Sequence, residues 1–185
     1  GLVAMMESMS IKTLGSRTVY ENRWLRLRED QIERPDGSRS IYGVIEKPDF
    51  AVIIPKDGDD FVLVEQFRYT MQARYPEFPQ GAWEDNPNAD PEELARGELC
   101  EETGLTAHEM KYFGKFQSAY GFSKQAFHVF LATGLTEGES SPDPEEHDLV
   151  VRRVAIADFE KMIRNREIVD AHTLAAYLLY KLHGY

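Results

Sequence analysis

One cysteine, Cys100, stands in a chain of 185 residues, so no disulfide can close within it. That scarcity fits a reducing compartment, and a cytoplasmic location is expected. Basic residues are also short. Lys and Arg total 21 against 32 Asp and Glu, a formal charge of −11. Phosphate backbones and anionic surfaces are gripped mainly by Lys and Arg, so neither nucleic acid nor membrane is expected as a partner. No apolar run approaches the roughly 20 residues that span a bilayer. No secretory signal and no internal repeat are visible. What remains is a length suited to one domain with a real core. Such an acidic protein still binds a small diphosphate where cations neutralise it locally.

What the chain does have is a concentration of carboxylates in Glu98-Leu99-Cys100-Glu101-Glu102-Thr103-Gly104-Leu105. A helix is expected here. Asp90 is the N-cap, Pro91 takes the first helical position, and Glu93 supplies the carboxylate three residues after the cap. Leu94, Ala95 and Leu99 offer apolar contacts, and Gly104 ends the helix. Spacings of three and four put Glu98 beside Glu101 and Glu102 on one face. Three like charges repel, so an isolated helix gains nothing from them. Hard cations such as Mg²⁺ and Mn²⁺, however, collect carboxylate oxygens. The competing reading is a plain solvated face. Cys100 has no base apparent beside it and is read as a small helix filler.

Gly81 together with Glu98-Leu99-x-Glu101-Glu102-x-Gly104-Leu105 resembles the signature of the Nudix hydrolases, G-x5-E-x7-R-E-U-x-E-E-x-G-U with U apolar. Every specified position from Glu98 onward matches. The first half departs: Gly97 stands where the family has arginine, Ala89 occupies the place of the middle glutamate, and two extra residues separate Gly81 from the helix. In many family members that glutamate and arginine form an ion pair bracing the loop. Here both are missing together, which leaves no stranded charge. Altered scaffolding is expected rather than a destroyed site.

Flanking segments narrow the likeness. Phe50-Ala51-Val52-Ile53-Ile54-Pro55, Val62-Leu63-Val64-Glu65-Gln66-Phe67-Arg68-Tyr69, Glu77-Phe78-Pro79-Gln80-Gly81 and Glu167-Ile168-Val169-Asp170-Ala171-His172-Thr173 resemble ADP-ribose pyrophosphatase-like members. The resemblance implies Mg²⁺, with Mn²⁺ as a substitute, held by Glu98, Glu101 and Glu102 and by the backbone carbonyl of Gln80. It implies a catalytic base on a late loop, where Glu146 and then Glu145 are the candidates; His147 is the alternative by titration range. Arg68, Gly81, Glu77 and Tyr120 are the expected substrate-side residues, and Trp83, Tyr69 or Phe122 could stack on adenine. Tyr120 stands where ADP-ribose pyrophosphatases tend to carry proline, and tyrosine there is associated with diadenosine polyphosphate hydrolases. The implied reaction is hydrolysis of a nucleoside diphosphate linked to another moiety, foremost ADP-ribose to AMP and ribose 5-phosphate. Other nucleotide sugars, dinucleoside polyphosphates, and a non-catalytic nucleotide-binding module stay open as alternatives. A homodimer is expected from the same resemblance.

The implied fold is an α/β/α Nudix sandwich with a mixed central sheet and an N-terminal β-hairpin extension. Residues 1–17 are expected to be unordered, with Gly1-Leu2-Val3 foreign to the fold; 18–47 form the extension and 48–185 the hydrolase domain. Strands are expected over 19–32, 40–46, 50–54, 61–67, 112–118, 126–132 and 149–154. Arg34-Pro35-Asp36-Gly37 marks a turn. Helices are expected over 158–164 and 173–182, and 137–147 reads as a mobile acidic loop.

Overall fold

A computed structural model describes residues 10–138 and 148–185 of the chain. Its residues fall into two compact units, one made of 10–48 with Gln117–Gln125, the other of Asp49–Phe116 with Ala126–Tyr185.

The first unit is a three-stranded antiparallel sheet, β1 (Lys12–Glu21), β2 (Arg26–Glu33) and β3 (Arg39–Glu46), in that spatial order. The sequence pattern predicts one strand over 19–32, but Asn22 breaks it. Its Oδ1 accepts the backbone N–H groups of Trp24 and Leu25, both at 2.9 Å, and its own N–H donates to the Leu25 carbonyl at 3.0 Å. This side-chain-closed turn reverses the chain. Residues 12–17, expected to be unordered, therefore pair in β1, although register shifts between Thr13 and Gly15 and between Thr18 and Tyr20 blur their alternation. The second reversal uses the anticipated Arg34–Gly37 turn, with Gly37 at φ 82°. Residues 117–125 join this unit through the Ile45 N–H, which donates to the Phe122 carbonyl at 2.8 Å.

The second unit is layered. Its sheet runs β10 (Val150–Ala155), β5 (Asp60–Arg68), β4 (Phe50–Asp57), β9 (Ala126–Glu137), β8 (Leu105–Gln117), with β6 (Ala73–Glu77) on β5 and β7 (Gln80–Gly81) on β4. The β4–β9 pair is parallel while β10–β5, β4–β5, β5–β6 and β4–β7 are antiparallel, so the sheet is mixed. Strand side chains alternate between faces. Phe50, Val52 and Ile54 point to one face with Phe61, Leu63, Val129 and Leu131. There they meet Phe159 and Met162 of α2 (Ile156–Arg164) and Ala176, Tyr177 and Tyr180 of α3 (Ala171–Leu182). Ala51, Ile53, Val62, Phe130 and Ala132 point to the other face and meet Leu94, Ala95 and Leu99 of α1 (Pro91–Thr103). Apolar side chains on both faces explain why β4, β5 and β9 read as near-continuous hydrophobic runs. The arrangement is the expected α/β/α sandwich. The short strands β6 and β7 are additions to the expected list, and β8 starts seven residues before its expected 112.

Among the described residues no helix is long and apolar enough to cross a membrane. The acidic segment 137–147 is expected to be a loop. Glu137 closes β9, whereas Glu145, Glu146 and His147 lie outside the described residues.

Candidate active site

Helix α1 forms where its caps allow. Asp90 accepts the N–H groups of Glu92 and Glu93 at 3.0 and 3.1 Å, and Gly104 adopts the left-handed conformation (φ 71°) while its N–H reaches the Cys100 carbonyl. Its buried residues are Leu94, Ala95, Glu98, Leu99 and Glu102, a single stripe with helical spacing. Glu98 and Glu102 thus share the face that seats the helix on the sheet, each only 4 % exposed. A solvated charged face does not describe them. Glu101, half-buried, lies off that stripe.

The chain segment Gln80–Gly81 lies over these two carboxylates. The Gln80 N–H donates to Glu102 Oε2 at 3.0 Å. A methyl group added at Gly81 would fall 2.2 Å from Glu98 Oε2 and 2.6 Å from its Cδ. Glycine is required at this point because the carboxylate occupies the space a side chain would take.

A second helix end holds the same segment. Asp170 caps α3, and its Oδ2 accepts from Thr173 N–H (2.8 Å), Thr173 Oγ1 (2.7 Å) and Gln80 Nε2 (2.8 Å). The Thr173 hydroxyl, fully buried, also accepts the Phe78 N–H at 3.0 Å. Burial pushes the Asp170 carboxyl upward, but hydrogen bonds from His172, Gln80 and Thr173 outweigh it and hold the group well below its ordinary value. Asp170 and Thr173 belong to the site yet received no role from the sequence. The signal was their place in the segment 167–173 that resembles the family, which assigned neither a role.

Arg68 and Glu77 pair beside this cluster. Arg68 Nε donates to Glu77 Oε2 at 3.2 Å and Nη2 donates to Oε1. Their side chains are 39 % and 4 % exposed. Burial pushes the Glu77 carboxyl up despite the neighbouring guanidinium. Burial alone would lower Arg68, but the charge of Glu77, with Glu102 and Asp170 adding to it, raises it instead. The guanidinium thus feels the charges of three carboxylates, Glu77, Glu102 and Asp170. Arg68→Ala leaves Glu77 buried without its partner, and a loss of about 3 kcal/mol is expected at neutral pH. Arg68 pulls the Glu77 carboxyl down, so its removal lets burial raise that group further; protonation then relieves the variant more than wild type, and the deficit should shrink as pH falls. Urea unfolding at several pH values measures it; a pH-independent deficit would contradict the assignment.

Tyr120 (86 % exposed) and Phe122 (53 %) belong to the first unit, and Tyr69 is 81 % exposed at the β5–β6 turn. Trp83 is half-buried and packs on the α1 side of the sheet with Leu94 and Leu99.

The donor set around Gln80–Gly81 is all oxygen, as a hard divalent cation requires, and the missing Cβ at Gly81 lets backbone approach the carboxylates. The residues present fit such an ion. Among the described residues, no three His, Cys, Asp or Glu side chains converge as they stand on a single cation position.

Residues 46–176 match the NUDIX domain family. The chain is a Nudix hydrolase. Residues 11–45, which include all of β1 and β2 and most of β3, match the nucleoside diphosphate sugar hydrolase N-terminal domain. An ADP-ribose pyrophosphatase from Bacillus subtilis (strain 168) is 31 % identical over 173 residues, covering 92 % of each chain. An ADP-ribose pyrophosphatase from Mycobacterium tuberculosis is 31 % identical over 94 % of this chain and 84 % of its own. A methanol dehydrogenase activator from Bacillus methanolicus is 28 % identical over 89 % of both. The crystal structure of an ADP compounds hydrolase superposes with a TM-score of 0.83 at 21 % identity, covering 93 % of this chain and 92 % of that one, which supports the fold. This Nudix pyrophosphohydrolase therefore keeps the carboxylate half of the family signature on one helix, with Glu98 and Glu102 on its buried stripe, and departs from the signature at Ala89 and Gly97.

Proposed function

We propose that this Nudix hydrolase cleaves the diphosphate of ADP-ribose in a Mg²⁺-dependent reaction, giving AMP and ribose 5-phosphate. One observation carries the reading: two buried carboxylates, Glu98 and Glu102, face the backbone of Gln80 and the side-chain-free Gly81. Burying two like charges on adjacent turns is costly unless a cation accompanies them. The substrate is proposed from the two ADP-ribose pyrophosphatases and from the N-terminal segment shared with nucleoside diphosphate sugar hydrolases.

In this reading Glu98, Glu102 and the Gln80 carbonyl hold the ion, with Glu101 completing the set. When bound, the cation screens phosphate oxygens and lowers the pKa of a water molecule. Arg68, oriented by Glu77, offers its accessible edge to the diphosphate. Asp170 and Thr173 keep Gln80 at its station. Glu146, or Glu145 in its place, orients water for attack on phosphorus, and the bond from phosphorus to the bridging oxygen breaks. A carboxylate suits this task while ionised, since it accepts the proton that water loses.

Residues 48–185 carry this chemistry, and 18–47 serve a second copy of the chain in a cytoplasmic homodimer. Support for the dimer comes from Val19, Tyr20 and Ile41 on the first unit's sheet, 49 %, 56 % and 62 % exposed.

The decisive experiment incubates the sized protein with ADP-ribose, diadenosine polyphosphates and nucleotide sugars, with Mg²⁺, with Mn²⁺ and with EDTA. AMP released from ADP-ribose ahead of the others, and lost in EDTA, is the expected result. Preference for a dinucleoside polyphosphate would transfer the specificity argument to Tyr120. No turnover of any of them would sink the hydrolase assignment of this site, and a monomeric mass would remove the dimer.

A further inference from the structure

The two substituted positions of the family signature, Gly97 and Ala89, both lie against the apolar cluster that holds Trp83. A methyl group at Gly97 would fall 2.1 Å from Cζ2 of Trp83, 2.9 Å from Cη2 and 3.2 Å from Cε2. The benzo edge of the indole therefore rests on the bare helix backbone. Interior glycine is a poor helix former, so its presence in the second turn of α1 calls for a compensating contact. The ring supplies it. Ala89, at the place of the missing glutamate, packs in the same apolar cluster as Trp83, Leu94 and Leu99.

We propose that Trp83 is the positioning residue of this site, replacing the glutamate–arginine brace by seating the loop that carries Gln80 and Gly81 on the side-chain-free backbone of Gly97. Trp83 follows Gly81 by two residues, and Gly97 immediately precedes Glu98. The Trp83–Gly97 contact and the Gly81–Glu98 contact are consequently neighbouring rungs between the same two segments. Displacing the ring lifts the backbone next to the carboxylate. Backbone hydrogen bonds extend the seat along the loop: the Asn86 N–H donates to the Trp83 carbonyl and the Ala89 N–H to the Asn86 carbonyl, each at 3.1 Å. An arginine at position 97 has no room while the ring lies there, so the two kinds of brace exclude each other. Loss of both charges leaves the apolar cluster without a stranded ion.

The inference rests on the reading of Glu98 and Glu102 as cation ligands, and its test separates the two. Four proteins are compared: wild type, Gly97→Ala, Trp83→Phe, and the double variant. Phenylalanine lacks the benzo edge that meets Gly97, so it makes the room that an alanine methyl fills. Mn²⁺ affinity is measured by electron paramagnetic resonance, and loop seating in the metal-free protein by cleavage at Glu84 or Asp85 with an acidic-residue-specific protease. Circular dichroism monitors folding.

Gly97→Ala is expected to weaken Mn²⁺ binding roughly tenfold or more, the scale seen when groups supporting a metal ligand are removed. It should also hasten cleavage, with helix content unchanged. The double variant should bind Mn²⁺ more tightly and resist cleavage better than Gly97→Ala alone. Wild-type affinity in Gly97→Ala, or a double variant as impaired as the two single losses combined, would overturn the proposal. Should wild type itself fail to bind Mn²⁺, the cation reading falls, and the cleavage rates alone judge the brace. Equal rates in all four would then refute it, and rescue in the double variant would uphold it.

Discussion

Glutamine in place of Glu102 is expected to remove turnover by several orders of magnitude while the protein stays folded. The substitution keeps the volume and one oxygen acceptor, so the Gln80 N–H retains a partner where Glu102 Oε2 now accepts it at 3.0 Å. The helix stripe still packs. What disappears is a negative charge at a position 4 % exposed. If that charge served stability alone, its removal would cost little, because buried charges seldom repay their desolvation. The thermal midpoint should accordingly change by no more than the few degrees that about 1 kcal/mol produces. Turnover depends on the charge itself, through the cation it holds against a polyanionic substrate. Rate, Mn²⁺ affinity and thermal midpoint measured together decide the matter. Wild-type turnover in Glu102→Gln would eliminate the proposed site.

Gly81→Ala should also damage the rate, by roughly a hundredfold, for a steric reason. The added methyl group would meet the Glu98 carboxylate at 2.2 Å. Relief comes from swinging the end of a flexible side chain, so the cost in stability is small. The direction of relief is what matters, since it carries a proposed cation ligand about 1 Å or more from its place, and misplacement on that scale can cost roughly a hundredfold in rate. Gly81→Ala therefore separates folding from function. A variant with both unchanged would show that Glu98 is not needed where it stands. A variant that unfolds would show that the segment cannot yield as described.

These two predictions concern residues that the sequence singled out, and their placement shows why it could. Glu98 and Glu102 are four apart on a helix whose caps, Asp90 and Gly104, are local features, so one face and one turn fix their relation. Asp170 and Thr173 were legible only as part of a resembling segment, with Thr173 opening the last expected helix. Their bonds to Gln80 and Phe78 span 90 and 95 residues, and no local pattern reports a partner at that distance. Trp83 and Gly97 were each visible in the sequence, one as an aromatic and one as a missing arginine. Their contact required the loop and the helix to be folded against each other.

The first unit repeats the lesson. The turn Arg34–Gly37 was legible because glycine and proline act on their own neighbours. The break at Asn22 was not, since the surrounding residues alternate as a strand would and the side chain decides by capping Trp24 and Leu25. Composition, helix caps and the carboxylate spacing were thus determined by the sequence alone, because each depends on charge totals or on residues within a turn or two. The pairing of Arg68 with Glu77, the stitching of Gln80 to two helices, and the seat of Trp83 on Gly97 were decided by the tertiary structure. Each joins segments that only the packed sheet brings within contact, and burial then sets how strongly their charges act.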